Sequence, residues 1–241
     1  MQENSFFKKV IKDGDEIFSG ISVDPTAISL PEDYKLNEFQ YYIHKVGFYL
    51  VHTLAWCRQL DFAVEFLTNF DYKKRINASR ADHLTFNIEN YLIRVNSIYD
   101  RVLQIVNAVF HLCINEEHVS HSVIISNYKV AHRPEICSKI KAIRKFVNDY
   151  SETRHTLIHK HSYQDVDLRK IQFMYFSEPK DWAKTPSEVK KIKRVRARFL
   201  TDYIRDKRKE FIGINVKLRK LLDKLLNSLE KEYERQKKLL M

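Results

Sequence analysis

The chain predicts an all-α fold, an up-and-down helical bundle continued by a long basic C-terminal helix. Three observations carry that expectation. Only 4 Gly and 5 Pro occur in 241 residues of which 30% are charged, and so little punctuation with so much charge suits long helices rather than a turn-rich sheet. Apolar residues recur at spacings of three and four over long stretches, which buries one stripe of a helix. Proline and capping residues stand where those stretches begin. The length fits one or two domains with a sizeable core.

In chain order, residues 1–36 read as an irregular N-terminal segment, with a short amphipathic piece around Phe6 to Phe18 and turns at Asp24-Pro25 and Leu30-Pro31. Residues 37–176 read as the bundle. Its first helix runs from Asn37 to Phe70 and is rich in aromatics such as Phe39, Tyr42 and Tyr49, and the polar run Asp71 to Asn77 ends it. A second helix starts near Ser79 and carries Leu84, Ile88, Tyr91, Val95, Ile98, Val102, Ile105 and Val109. Another is expected over Ser120 to Ala131, after which Pro134 suits the first turn of the next. Lys170 to Phe176 fits either a short strand or an apolar loop packed on the bundle. Residues 177–241 read as a basic helical extension. Thr185-Pro186-Ser187-Glu188 is a capping-box pattern with proline at the first helical position. Gly213 is a plausible break, and Leu218, Leu222, Leu225, Leu229 and Tyr233 beyond it form a narrow coiled-coil-like stripe that calls for the bundle or a second subunit to cover it.

The formal net charge is +11, and it is uneven: residues 181–241 hold 19 Lys+Arg against 9 Asp+Glu. Such a face favours a polyanion through counterion release, so nucleic acid is the expected partner. Cys57, Cys113 and Cys137 are odd in number, far apart and outside any C-x-x-C pattern, which points to a reduced, cytoplasmic setting. No uninterrupted apolar run approaches membrane-spanning length, and no signal-like stretch opens the sequence. There is no G-x-x-x-x-G-K or G-x-G-x-x-G loop, so nucleotide hydrolysis and dinucleotide chemistry find no support and no cofactor is expected.

Chemistry concentrates in Arg154-His155-Thr156-Leu157-Ile158-His159, followed by Lys160, His161 and Tyr163. Arginine grips phosphate through a planar, permanently charged fork, and imidazole titrates near neutral pH. Together they are a minimum kit for metal-free RNA cleavage. With 16 Arg and 10 His, an R-x4-H spacing arises by chance roughly 0.7 times in this chain, so spacing alone says little, whereas the polar His155 directly after the arginine narrows it. The preceding seam Ile136, Ile140, Ile143, Val147 and Tyr150, continued on an unbroken helix, would place Arg154, Leu157 and His161 inward. An inward guanidinium is costly unless paired or ligand-bound, and Asp100 is a candidate partner. Asp100 or Glu89 could also orient a histidine. Lys160 and Tyr163 are candidate substrate-binding residues. His155 and His159 have the i,i+4 spacing of metal ligands, but no H-E-x-x-H is formed, and His111, His118, His121 and His132 have no ligand spacing, so no metal site is assigned.

An all-α chain with Arg154-His155-x3-His159 late in a bundle helix resembles the HEPN superfamily, whose signature is R-x4-6-H with a polar residue commonly after the arginine. The resemblance covers residues 37 to 165. It implies a small bundle that dimerises and sets two motif copies around one cleft. Many members of the superfamily are metal-independent endoribonucleases of toxin, antiviral-defence or RNA-processing systems, and others are non-catalytic. Carried over by motif, Arg154 and His159 are the catalytic pair with His155 as the accompanying polar group, standing where the family usually has Asn. Arg154-x6-His161 also fits the family range and makes His161 the alternative histidine. The partners so implied are RNA, a second copy of the chain, and an antitoxin or nucleotidyltransferase-like protein. The competing expectation is a dimeric helical module that binds RNA or protein without catalysis.

Overall fold

The computed structural model describes residues 3–19, 35–70, 78–160, 162–163 and 165–241, with the side chains of residues 152–154 and 159 outside that description. The turns expected at Asp24-Pro25 and Leu30-Pro31 and the polar break Asp71 to Asn77 also lie outside the described residues. Among the described residues there are ten α-helices, one 3-10 turn at Glu116–His118 and no strand. The helices are α1 (Ser5–Phe18), α2 (Glu38–Glu65), α3 (Arg80–Val109), α4 (His121–Ser126), α5 (Tyr128–Ala131), α6 (Pro134–Asn148), α7 (Ser151–His159), α8 (Val166–Phe176), α9 (Pro179–Trp182) and α10 (Pro186–Leu240). Their contacts group into two units, one of Met1–Trp56, Ser97–Phe146 and Leu218–Met241, the other of Cys57–Asn96 and Val147–Lys217.

The first unit is centred on aromatic rings at the C-terminal end of α10. Tyr233 stacks on Tyr42 of α2 at 5.6 Å and meets Phe6 of α1 edge-on at 5.4 Å, all three fully buried. Such a site must satisfy its hydroxyls. Tyr42 donates to the Val109 carbonyl at 2.9 Å and Tyr233 to Asp13 at 2.8 Å, with Lys237 2.7 Å from the same carboxylate. The amphipathic piece at Phe6 to Phe18 is therefore a packed helix, capped by Asn4. The leucine stripe Leu218, Leu222, Leu225 and Leu229 is buried. Residues 120–131 form two short helices rather than one, because the Asn127 side chain ends the first by capping the second.

The Tyr99 hydroxyl meets His121 Nδ1 at 2.5 Å. Burial, with Arg144 and Lys141 nearby, holds His121 below its ordinary 6.5, while burial raises Tyr99 to about 12. In the second unit burial holds His83 low as well, against the opposing pull of the Phe66 carbonyl. For both histidines the unfolded chain binds the proton more readily. Their contribution to stability is thus complete above about pH 6.5 and is lost as pH falls through that value toward the folded one. Thermal denaturation against pH should show this decline, and His121→Gln should remove the share of the slope due to His121 while leaving that of His83.

In the second unit, α2 and α3 bury Leu60, Val64, Leu84, Ile88 and Val95, and α10 adds Leu200, Ile204, Phe211 and Ile214. Phe211 stacks on Tyr91 at 3.7 Å, and the single Tyr91 hydroxyl proton is shared between the Phe211 carbonyl (3.1 Å) and Asn215 Oδ1 (2.9 Å). Residues 170–176, read as strand or loop, belong to α8. The Asp165 carboxylate accepts from the Asp167 and Leu168 N–H groups and so starts a helix that buries Leu168 and Ile171 one turn apart. The capping box at α10 is present: Thr185 Oγ1 accepts from Glu188 N–H, and Glu188 accepts from Thr185 N–H.

Gly213 does not interrupt α10, which runs unbroken for 55 residues, roughly 80 Å at 1.5 Å each. An interior glycine costs about 1 kcal/mol relative to alanine, and buried Phe211, Ile214 and Asn215 around it outweigh that. A Cβ at Gly213 would meet nothing within 4 Å. Gly213→Ala should therefore stabilise the protein by about 0.5–1 kcal/mol, seen as a higher denaturant midpoint at unchanged slope.

Candidate functional site

The motif stands on α7, a helix of nine residues. The seam that precedes it is buried on α6 as its spacing predicts, through Ile136, Ile140, Ile143 and Val147. It does not continue to Arg154, because the helix stops at Asn148 and restarts at Ser151. Tyr150 takes φ −110°, ψ −1° at the joint. The Ser151 hydroxyl donates to the Asn148 carbonyl at 2.8 Å, and the Asn96 amide of α3 donates to the Tyr150 carbonyl at 2.9 Å. Polar groups thus take the carbonyls that an unbroken helix would present to its own N–H groups. The phase of α6 therefore says nothing about where Arg154 points.

Both Arg154 and His159 belong to α7, their side chains lying outside the described residues, and Lys160 caps its C-terminus with its N–H on the Thr156 carbonyl at 2.9 Å. Five residues at 100° each separate the pair by about 140° around an ideal helix. His155 and Lys160 are exposed. His161, the alternative histidine, lies outside the described residues. Asp100 is exposed and belongs to the first unit, whereas α7 belongs to the second.

A feature missed in the sequence is how α3 holds this segment. Asn96 binds the joint before α7, and Glu89 accepts the Tyr163 backbone N–H after it at 2.6 Å. Asn96 and Glu89 are seven residues apart, two turns of one helix face. Nothing local in either residue marks it as an anchor.

Tyr163 is drawn into a polar cluster with α10. Its hydroxyl donates to Asp165 at 3.2 Å and accepts from Lys207 at 3.1 Å, and Lys207 also lies 3.4 Å from Asp165 and 3.0 Å from Glu210. Burial raises the Tyr163 phenol, against the pull of Lys207, and it stays neutral. Burial works against the Lys207 ammonium, but Tyr163 and Glu210 outweigh it and its pKa lies above the ordinary range. Burial likewise opposes the Asp165 carboxylate, yet the capped N–H groups, Lys207 and Tyr163 together hold it below the ordinary range. Of these partners only Asp165 had a legible sign, as an N-cap before an apolar run.

Among the described residues no group of three or more His, Cys, Asp or Glu side chains is placed to hold a metal ion, and no helix is long and apolar enough to cross a membrane. A family model described as Cthe2314-like HEPN matches residues 34–226, taking in α2 through most of α10 with α7 inside it. No curated protein and no solved structure matches the chain.

Proposed function

The chain belongs to the Cthe2314-like HEPN family, and on that premise we propose that it is a metal-independent endoribonuclease whose site is composed across a homodimer. The observation that carries this reading is the Arg154-His155-x3-His159 motif seated on one short helix within the matched region. The 140° between the two positions supports a site shared by two chains, since Arg154 of one protomer can then meet His159 of its partner.

In this mechanism the His159 imidazole takes the proton of an RNA 2′-hydroxyl, and the freed oxygen attacks the adjacent phosphorus. The bond to the 5′-oxygen breaks, and that oxygen leaves with a proton taken from water. Arg154 stabilises the charge that builds on the phosphoryl oxygens. Exposed Lys160 adds a cation for a neighbouring phosphate. Tyr163, whose hydroxyl is engaged by Asp165 and Lys207, fixes the segment after the motif. The products are a 2′,3′-cyclic phosphate and a 5′-hydroxyl, and DNA survives because it lacks the attacking group. The test is incubation of labelled single-stranded RNA with the protein in EDTA. Cleavage with those ends is expected, and intact RNA, or cleavage that needs an added divalent ion, would overturn the proposal. Growth arrest on expression, relieved by motif substitutions, would place the activity in a toxin or defence system.

A further inference from the structure

The second unit carries an aromatic face that the motif does not explain. Phe173 is 71% exposed and Phe176 89% exposed on α8, and Phe173 stacks on Trp182 of α9 with centroids 5.5 Å apart and planes at 21°. Phe173 and Trp182 border a groove of about 660 Å³ whose other wall is the start of α10, with Lys184, Glu188, Lys191 and Arg196 facing it. That volume suits a small planar ligand group, given the roughly 300–1,000 Å³ of ordinary ligand sites. Burying a side chain of this size is worth about 1.5–3 kcal/mol, so leaving three aromatic rings in water marks a surface made for a partner.

The surrounding charge selects the partner. Residues 169–198 hold 10 Lys+Arg against 3 Asp+Glu; Arg169, Lys170 and Lys180 of that stretch are exposed, as are Lys184 and Lys191 in the groove wall. A second copy docking through the same face would set that charge against itself. A polyanion that also offers flat apolar surfaces is complementary on both counts. That description fits unpaired nucleic acid, whose bases stack on aromatic rings while basic side chains follow the phosphates; a duplex hides its base faces. The geometry points to a base-stacking platform on α8, α9 and the start of α10 that holds single-stranded RNA by Phe173 and Trp182. This deepens the nuclease reading by naming where substrate is held, and it can be measured without cleavage.

The experiment uses a short labelled oligodeoxythymidine, which lacks the 2′-hydroxyl and survives the proposed reaction, so binding is read whether or not the nuclease proposal holds. The abasic strand of equal length should bind at least about fivefold more weakly than the base-bearing one. Phe173→Ala with Trp182→Ala should remove that difference. Phe173→Leu keeps apolar bulk without a flat ring and should lower affinity for the base-bearing strand alone. Lys184→Glu with Lys191→Glu should weaken both strands and flatten the salt dependence. The substituted aromatic side chains are exposed, and circular dichroism checks that the helices persist. Equal affinity for the abasic and base-bearing strands, or undiminished affinity in the aromatic variants, would overturn the platform. Conversion of a dimer to monomers by the aromatic substitutions, with strand binding unchanged, would give the face to a second copy instead.

Discussion

Arg154→Ala and His159→Ala are each expected to abolish RNA cleavage, by at least about 100-fold, while leaving the helical content and thermal transition intact. Removing a positioned general base or a preorganised donor to the phosphoryl oxygens has effects of about 10²–10⁴. Arg154→Lys should recover only a fraction, because an ammonium offers one point of charge where the guanidinium offers a planar fork. The two inactive chains also test the shared site. Mixed, unfolded and refolded together, they yield heterodimers in which one of the two Arg–His pairs keeps both side chains, the arginine of one protomer and the histidine of the other. Activity should return to about a quarter of the parent's. No recovery from the mixture, with each chain shown to dimerise, would refute a site drawn from two protomers.

Phe211→Ala should cost about 3–5 kcal/mol, the largest effect on stability expected in the second unit. Phe211 is 1% exposed and lies 3.7 Å from the Tyr91 ring. Its removal leaves a void and strips Tyr91 of its stacking partner, while the Tyr91 hydroxyl stays tied to the Phe211 carbonyl and to Asn215, whose amide reaches Asp61 at 3.2 Å. Those bonds hold Tyr91 in place and limit how far it can move to refill the space. Urea unfolding should show a lower midpoint. A loss below about 1 kcal/mol would mean that the site collapses around the missing ring.

What was legible in the sequence was local. The start of α10 could be read because Thr185 and Glu188 cap each other within four residues, and the buried stripe of α3 because its spacing repeats over eight turns. The motif could be read because it is six residues long. The joint between α6 and α7 could not, since the group that takes the Tyr150 carbonyl comes from Asn96, 54 positions away. Residues 170–176 were ambiguous because Ile171, Phe173, Met174, Tyr175 and Phe176 alternate and repeat at once. The Asp165 cap and the burial of Leu168 and Ile171 against the rest of the unit decide for helix. The same packing leaves Phe173 and Phe176 outside, which periodicity alone does not reveal. Gly213, a plausible break or bend by its local cost of about 1 kcal/mol, stays within α10 beside its buried neighbours Phe211, Ile214 and Asn215.

The grip of α3 on both ends of the motif segment makes the placement of that segment sensitive to the length of α3 between the two anchors. A helix of nine residues is too short to hold itself in water, so α7 takes its position from Asn96 and Glu89. One residue inserted or deleted between them would swing one anchor about 100° around α3 and carry it off the shared face. The seven steps from Glu89 to Asn96 are thus a spacing that the motif segment depends on, set in a stretch of α3 where no residue is exposed.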